Sequence, residues 1–212
     1  SKVGDLIYLI KTYEAECNVA DSVTRLLWGS KRPQEEPQKI DALIKKAEEK
    51  FGITYSPEQR KAIETTFRYD LHIITGYPGT GKTTVLKGII AVEKARKHNA
   101  NILSCSPIGR AARRMTEATG HPAQTIHSML GLHGEEAPEY APELDESVDM
   151  VIVDEVSMLD VFLAEMLLHA IHIGTKVVLV GDPDQLPSVG PGAVLADRLR
   201  SRCVPVTKLD AV

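Results

Sequence analysis

An apolar run, Leu71-His72-Ile73-Ile74-Thr75, leads straight into Gly76-Tyr77-Pro78-Gly79-Thr80-Gly81-Lys82-Thr83, with Thr84 behind it, and a helical pattern leaves from about Lys82 to Lys97. The run reads as a buried parallel strand. The octet fits G-x-x-x-x-G-K-[ST], the loop that holds phosphates between a strand and a helix. Its glycines let backbone N–H groups turn onto phosphate oxygens, and the helix N-terminus adds partial positive charge. Gly76, Pro78, Gly79, Thr80, Gly81, Lys82, Thr83 and Thr84 are therefore the candidate nucleotide-binding residues. Lys82 would meet the β- and γ-phosphates of a nucleoside triphosphate, and the Thr83 hydroxyl would bind Mg²⁺.

Two later apolar runs also end in chemistry. Met150-Val151-Ile152-Val153 closes on Asp154-Glu155. Asp154 at the strand end is placed to hold Mg²⁺, and Glu155 to take a proton from an attacking water. Lys176-Val177-Val178-Leu179-Val180 runs into Gly181-Asp182-Pro183-Asp184-Gln185. A glutamine in the loop after a central parallel strand lies where a γ-phosphate would sit, so Gln185 is a candidate to position water or report that phosphate. Upstream, Ser56-Pro57-Glu58-Gln59 reads as a helix start with Ser56 as N-cap and Pro57 first. The Gln59 amide can both donate to and accept from an adenine edge.

Between these elements, Asn101–Ser106 reads as another buried strand, Arg110–Met115 opens a helix, and Thr125–Leu130 forms a short one. Asp5–Leu27 and the stretch from Ile40 to Phe51 read as amphipathic helices that pack on the core, and Trp28 is expected to pack as well, stacking on a base being the alternative. A last helix is expected over Pro191–Ser201 and a last strand over Val204–Leu209. Gly131–Asp149 holds seven acids and neither Lys nor Arg, and reads as a surface loop or short hairpin.

The net charge of −4 gives no overall basic field, so a nucleic-acid partner needs a local patch. Lys87, Lys94, Arg96, Lys97, Arg110, Arg113 and Arg114 supply one, opposed within that span only by Glu93. The alternative is a solvated helix face. The three cysteines, Cys17, Cys105 and Cys203, have no metal-binding spacing, and their odd number points to a reducing, cytoplasmic setting. Cys105, in an apolar strand, reads as a packed thiol. No run is long and apolar enough to span a membrane, and no homo-oligomer is indicated.

Together these segments resemble the first motor domain of superfamily 1 helicases, and most closely the RecD-like 5′-to-3′ DNA helicases. The phosphate loop is similar to their motif I, and Ser106–Met115 to motif Ia. Gln124–Leu130 is similar to their T-I-H motif, and Val153-Asp154-Glu155-Val156-Ser157-Met158 to their D-E-x-S-M form of motif II. Gly181–Gly190 is similar to their G-D-x-x-Q-L-P-S-V-G form of motif III, and Gln59 falls at the Q motif. The resemblance implies an α/β fold: a RecA-like P-loop NTPase domain over 53–212, with a mostly parallel sheet and helices on both faces, preceded by a helical segment over 1–52. It implies ATP hydrolysis with Mg²⁺, with Lys82, Glu155 and Gln185 as the catalytic set and Thr83 and Asp154 at the metal. It also implies single-stranded DNA contacts at Pro107, Arg110, Thr125 and His127. Ile108 stands where motif Ia usually has threonine, which removes one hydroxyl from that set. The acidic stretch, 131–149, falls where such helicases carry a small insertion. A second RecA-like domain of the same protein is expected beyond Val212, so that this chain alone would hydrolyse ATP slowly and unwind nothing. Without the resemblance, the residues also allow a P-loop ATPase acting on RNA, or on protein or nucleotide substrates, or a nucleotide-binding regulatory module.

Overall fold

The computed structural model describes residues 2–3, 6–7, 9–29, 35–132, 142–182, 184–185 and 188–210. Two short strands, β1 (Lys2–Val3) and β2 (Leu6–Ile7), pair antiparallel ahead of helix α1 (Ile10–Trp28). The first helix therefore starts later than its apolar pattern suggests, because Leu6 and Ile7 belong to the strand pair. Asp5, the expected start, lies outside the described residues, as do residues 133–141 of the expected loop or hairpin at 131–149.

Helices α2 (Pro37–Phe51) and α3 (Pro57–Arg68) come next. The α3 start is a capping box. Ser56 Oγ accepts the Gln59 N–H at 3.2 Å, and Gln59 Oε1 accepts the Ser56 N–H at 3.1 Å. Strands and helices then alternate: β3 (Leu71–Gly76), α4 (Lys82–Arg96), β4 (Ile102–Ser106), α5 (Gly109–Thr119), β5 (Ala123–Thr125), α6 (Ile126–Met129), β6 (Met150–Val153), a 3₁₀ turn at Val156–Met158, α7 (Val161–Ala170), β7 (Lys176–Gly181), α8 (Val194–Ser201) and β8 (Val206–Leu209). The last helix begins at Val194 and not at Pro191, and the last strand at Val206.

The six strands β3 to β8 form one sheet in the order β5-β4-β6-β7-β3-β8, with every neighbouring pair parallel. Side chains alternate across it with the period of two that a strand imposes. Leu71, Ile73, Val151, Val153, Val177 and Leu179 join one buried cluster with α1, α6, α7 and α8. Ile74, Met150, Ile152, Val178 and Val180 join a second, with α2, α3, α4 and α5. Burial on both faces is why these strands read as continuous apolar runs. His72, in the middle of β3, is fully buried between Thr66 Oγ1 at 2.9 Å and Thr207 Oγ1 at 3.0 Å. Burial pushes its pKa down to about 3, so it stays neutral and structural.

Both N-terminal helices lie on this core. Helix α1 supplies Ala15, Val19, Val23 and Leu26 to the first cluster, and α2 supplies Ile40, Ile44 and Ala47 to the second. Arg60 ties α2 to α3 by pairing with Asp41 and, at 3.1 Å, with Glu48. Trp28 departs from expectation: it is 80% exposed at the end of α1. Leu26 occupies the buried position, and two residues further along a helix is roughly 200° around it, on the solvent side.

Arg25 holds α1 to α7. Its guanidinium donates to the carbonyls of Leu168 at 2.7 Å and Ile171 at 2.8 Å, which would otherwise be orphaned at the end of α7. Arg25→Ala is expected to lower the unfolding free energy by about 1–3 kcal/mol in a urea titration, the cost of stranding partly buried carbonyls.

Candidate functional site

In a parallel sheet every strand points the same way, so every strand-to-helix loop leaves from one rim. The register fixes which loops are neighbours there. Thr75 of β3 pairs with Gly181 of β7, Val153 of β6 with Leu179 of β7, Cys105 of β4 with Val153, and Ser106 with Thr125 of β5. The phosphate loop, the Asp154-Glu155 pair, the Gln185 loop and the segments after β4 and β5 therefore share this edge.

The phosphate loop turns on two close approaches. Gly81 caps α4 at φ 83°, in the left-handed region, with the Gln59 side-chain nitrogen lying where a Cβ would go. A Cβ on Gly76 would lie 2.5 Å from Thr80 Oγ1 and 3.0 Å from the Leu209 carbonyl oxygen. No side chain caps the first turn of α4, which leaves its N–H groups for an anion. Lys82 Nζ donates to the carbonyls of Gly76 at 2.6 Å and Tyr77 at 2.9 Å. Pro78 and Gly79 form the exposed crown of the loop, Thr80 is buried beneath it, Thr83 is exposed in the first turn of α4 and Thr84 half-buried. Gln59 thus meets the loop from α3. Its Oε1 is engaged in the capping box with one lone pair to spare, and its amide nitrogen faces Gly81.

Asp154 extends the β6 ladder by one step, its N–H donating to the Cys105 carbonyl at 2.9 Å. Burial pushes its carboxyl up to about 6, against the Glu155 N–H at 2.9 Å and the nearby Lys82 charge, which act to lower it. Glu155 sits at φ 58°, ψ 41°, the left-handed region that a residue with a Cβ rarely adopts. Asp154 and the Thr83 hydroxyl are oxygen donors of the kind a hard dication takes. Among the described residues no cluster of three or more His, Cys, Asp or Glu side chains could hold a metal. A cation here would draw its other ligands from water and phosphate, as Mg²⁺ does.

Gln185 is half-buried, with its N–H on the Asp182 carbonyl at 3.3 Å. Pro183, Leu186 and Pro187 around it lie outside the described residues. The same loop reaches the phosphate loop through Asp184, whose carboxylate meets the Tyr77 hydroxyl and holds that phenol above its usual range. Lys208 Nζ lies 5.6 Å from the Tyr77 ring centre. Tyr77 was not singled out from the sequence. An aromatic side chain inside a glycine-rich turn was the available signal.

The remaining candidates gather at the β4–β5 end of the rim. Pro107 follows β4, and Arg110 is exposed in the first turn of α5. Thr125 caps α6 by accepting the Ser128 N–H at 3.1 Å, and His127 is exposed beside it. The Thr125 methyl would lie 3.7 Å from a Cβ on Gly109, so the two segments touch. The basic patch is smaller than its residue list. Lys87 lies 4.4 Å from the Phe51 ring centre, and Lys94 donates to His121 Nδ1 at 3.2 Å. Arg96 pairs with Glu93 at 2.6 Å and Glu35 at 2.9 Å, and Lys97 with Asp149 at 2.7 Å. Arg110, Arg113 and Arg114 remain exposed on α5, without an ion-pair partner among the described residues. Asp149 is not part of an acidic surface. It is 6% exposed, and its Oδ2 accepts the Asn101 N–H at 3.0 Å. Cys105 is fully buried, with its thiol pushed far up by burial, as a packed thiol should be. No helix among the described residues is long and apolar enough to cross a membrane.

Known proteins share this arrangement. The family model described as an AAA domain matches residues 59–191. The chain is 35% identical over 217 residues to the RecBCD enzyme subunit RecD of Mycolicibacterium smegmatis, covering 92% of this chain and 37% of that protein. It is 35% identical over 206 residues to the ATP-dependent RecD2 DNA helicase of Deinococcus radiodurans, covering 97% of this chain and 27% of that one. It thus spans only about a third of the length of these relatives. Among solved structures, Pif1 helicase from Candida albicans aligns with a TM-score of 0.54 at 20% identity, over 76% of this chain and 40% of that one. Unliganded Pif1 from a Bacteroides species aligns at 0.50 and 23%, over 76% and 42%. At these identities the two structures speak for the fold, a RecA-like α/β domain. With the matched model spanning the phosphate loop, the Asp154 strand and the Gln185 loop, the chain belongs to the AAA domain family, among its RecD-like members.

Proposed function

We propose that this chain is the first motor domain of an ATP-dependent DNA helicase: it binds and hydrolyses ATP with Mg²⁺, and in the whole protein this drives 5′-to-3′ movement along single-stranded DNA and strand separation. The observation that carries the reading is the shared rim. The phosphate loop and Asp154 follow β3 and β6, and the exposed Arg110 and His127 and the half-buried Thr125 lie at the ends of β4 and β5 or on segments leaving them, with β4 hydrogen-bonded to β6. Adjacent strands are about 4.8 Å apart, so a nucleic-acid strand along the β4–β5 end would lie next to the nucleotide's reacting end.

Each side chain has a task in this reading. The α4 N-terminus and the Gly76–Gly81 loop hold the phosphates, and Lys82 exchanges its loop carbonyls for phosphate oxygens. Gln59 orients the base or the loop from below. Glu155 takes the proton of the attacking water, and Gln185 reports the γ-phosphate. Thr83 and Asp154 would hold Mg²⁺, which neutralises the charge developing on the phosphate oxygens. A second RecA-like domain of the same protein would form the opposite wall of the nucleotide cleft. Pro107, Arg110, Thr125 and His127 would contact the backbone of single-stranded DNA, and alternate opening and closing of the two domains would step it along.

In the full-length protein, single-stranded DNA is expected to stimulate ATP hydrolysis at least about tenfold in a phosphate-release assay, and Glu155→Gln to abolish turnover while sparing ATP binding. Hydrolysis indifferent to DNA would instead fit an ATPase acting on protein or nucleotide substrates, and stimulation by RNA alone an RNA motor.

The buried Asp154 carboxylate gives a second test, on the chain without nucleotide or metal. Its folded pKa, about 6, lies above the ordinary 3.8, so the protonated form is favoured on folding. That stability is fully present below the unfolded value and is lost as the pH rises through about 6. Asp154→Asn is therefore expected to be more stable than wild type at pH 8 by up to roughly 3 kcal/mol, and no more stable at pH 3.5, in parallel denaturant titrations. The same variant should lose Mg²⁺-dependent nucleotide binding, as expected of a carboxylate kept for a cation at a cost to the fold.

A further inference from the structure

Strand β4 carries a buried hydroxyl beside Asp154 that none of the roles above uses. Ser106 is the last residue of β4 and is fully buried, and its Oγ has no hydrogen-bond partner among the described residues. The register says what it lies against. Cys105 pairs with Val153, and the Asp154 N–H donates to the Cys105 carbonyl at 2.9 Å, so the ladder runs on by one residue and sets Ser106 next to Asp154. Alternation settles the face. Ile102 of β4 and Met150 and Ile152 of β6 belong to the cluster beneath α4, whereas Cys105 and Val153 belong to the opposite one. Ser104, Ser106 and Asp154 therefore share the α4 side of the sheet. The α4 side is also where Lys82 begins its helix.

A buried hydroxyl without a partner is costly and calls for an explanation. Ser106 would find one if Asp154 held a hydrated cation. A hydroxyl donates one hydrogen bond and accepts two. Next to a metal-bound carboxylate it can donate to the free carboxylate oxygen and accept from a water of the cation's shell. Groups of this kind orient first ligands and tune their affinity for the metal. We propose that Ser106 is a positioning residue for the Asp154–Mg²⁺ assembly, its hydroxyl hydrogen-bonding to the carboxylate and to the water shell of the cation. The next residues along the chain are Pro107 and the exposed Arg110 of the suggested DNA track. Ser106 would therefore link the strand that leads to that track, by hydrogen bonds, to the carboxylate and the water shell of the nucleotide's metal. This inference rests on the nucleotide reading of the preceding subsection.

Ser104 provides the control. It is also buried with an unpartnered hydroxyl on the same face, but its strand neighbours are Ile152 and Ala123, which offer no side-chain oxygen. The experiment titrates MgCl₂ into this chain with a fluorescent ATP analogue and follows binding, alongside thermal unfolding without nucleotide. Ser106→Ala is expected to raise the half-saturating MgCl₂ concentration roughly tenfold. Its affinity for the analogue in EDTA should match wild type, and its unfolding temperature should be equal or higher. Ser104→Ala should keep the wild-type MgCl₂ midpoint. A wild-type midpoint in Ser106→Ala, or an equal shift in Ser104→Ala, overturns the assignment. Analogue binding that ignores MgCl₂ in the wild-type chain overturns the Asp154–Mg²⁺ assembly and this assignment with it, and no analogue binding by the wild-type chain overturns the nucleotide reading itself.

Discussion

The parallel ladder β4-β6-β7-β3 is the constraint on which the rest of this molecule depends. It hydrogen-bonds four strands in one direction, so the loops that follow them must emerge along one edge. Nothing local in the sequence brings Lys82 near Asp154, or the Tyr77 hydroxyl to Asp184. The ladder does so, and the helices on both faces bury it. Arg25 at the end of α7, Arg60 between α2 and α3, and Arg96 between α4 and Glu35 pin those helices with paired guanidinium groups.

Along that edge the chain departs from what stability alone would choose. Asp154 is a buried carboxylate whose charged form is disfavoured. Glu155 holds a left-handed backbone without being glycine. Ser106 buries a hydroxyl with nothing to bond to among the described residues. The first turn of α4 has no capping side chain. Each is a local cost, and together they lie along one rim of the sheet. Several polar groups away from the rim are matched: His72 between two threonines, Asp149 with Lys97, Arg25 on its carbonyls. Local costs gathered at a rim are what a binding site imposes on a fold.

The parallel sheet was legible because strands buried on both faces leave largely apolar runs: β6 and β7 do so almost unbroken, whereas His72 interrupts β3 and Ser104 and Ser106 interrupt β4. The α3 start was legible for a local reason, since a capping box closes within four residues. What could not be read was decided by distant partners. β5 has only the half-buried Ala123 and Thr125 and the exposed Gln124 at the sheet edge, too few residues to show a period. The basic run from Lys87 to Arg114 looked like a single patch, but Glu35, Phe51, His121 and Asp149, each far away in the chain, occupy four of its seven cations. Trp28 looked like core and lies in solvent, because the helix phase is set by Leu26 against α7. At the site, motif spacing identified which side chains to watch, whereas the Gln59–Gly81 approach and the position of Ser106 beside Asp154 required the register.

The central claim is that the Gly76–Thr84 loop is a working triphosphate site on this rim. Calorimetric titration of Mg²⁺·ATP into the wild-type chain and into Lys82→Ala tests it most directly. The account predicts one site in the wild type, weakened roughly a hundredfold, about 2.8 kcal/mol, by the substitution, with an unchanged unfolding temperature. Equal affinity in the two proteins, or no binding by the wild type, would contradict it.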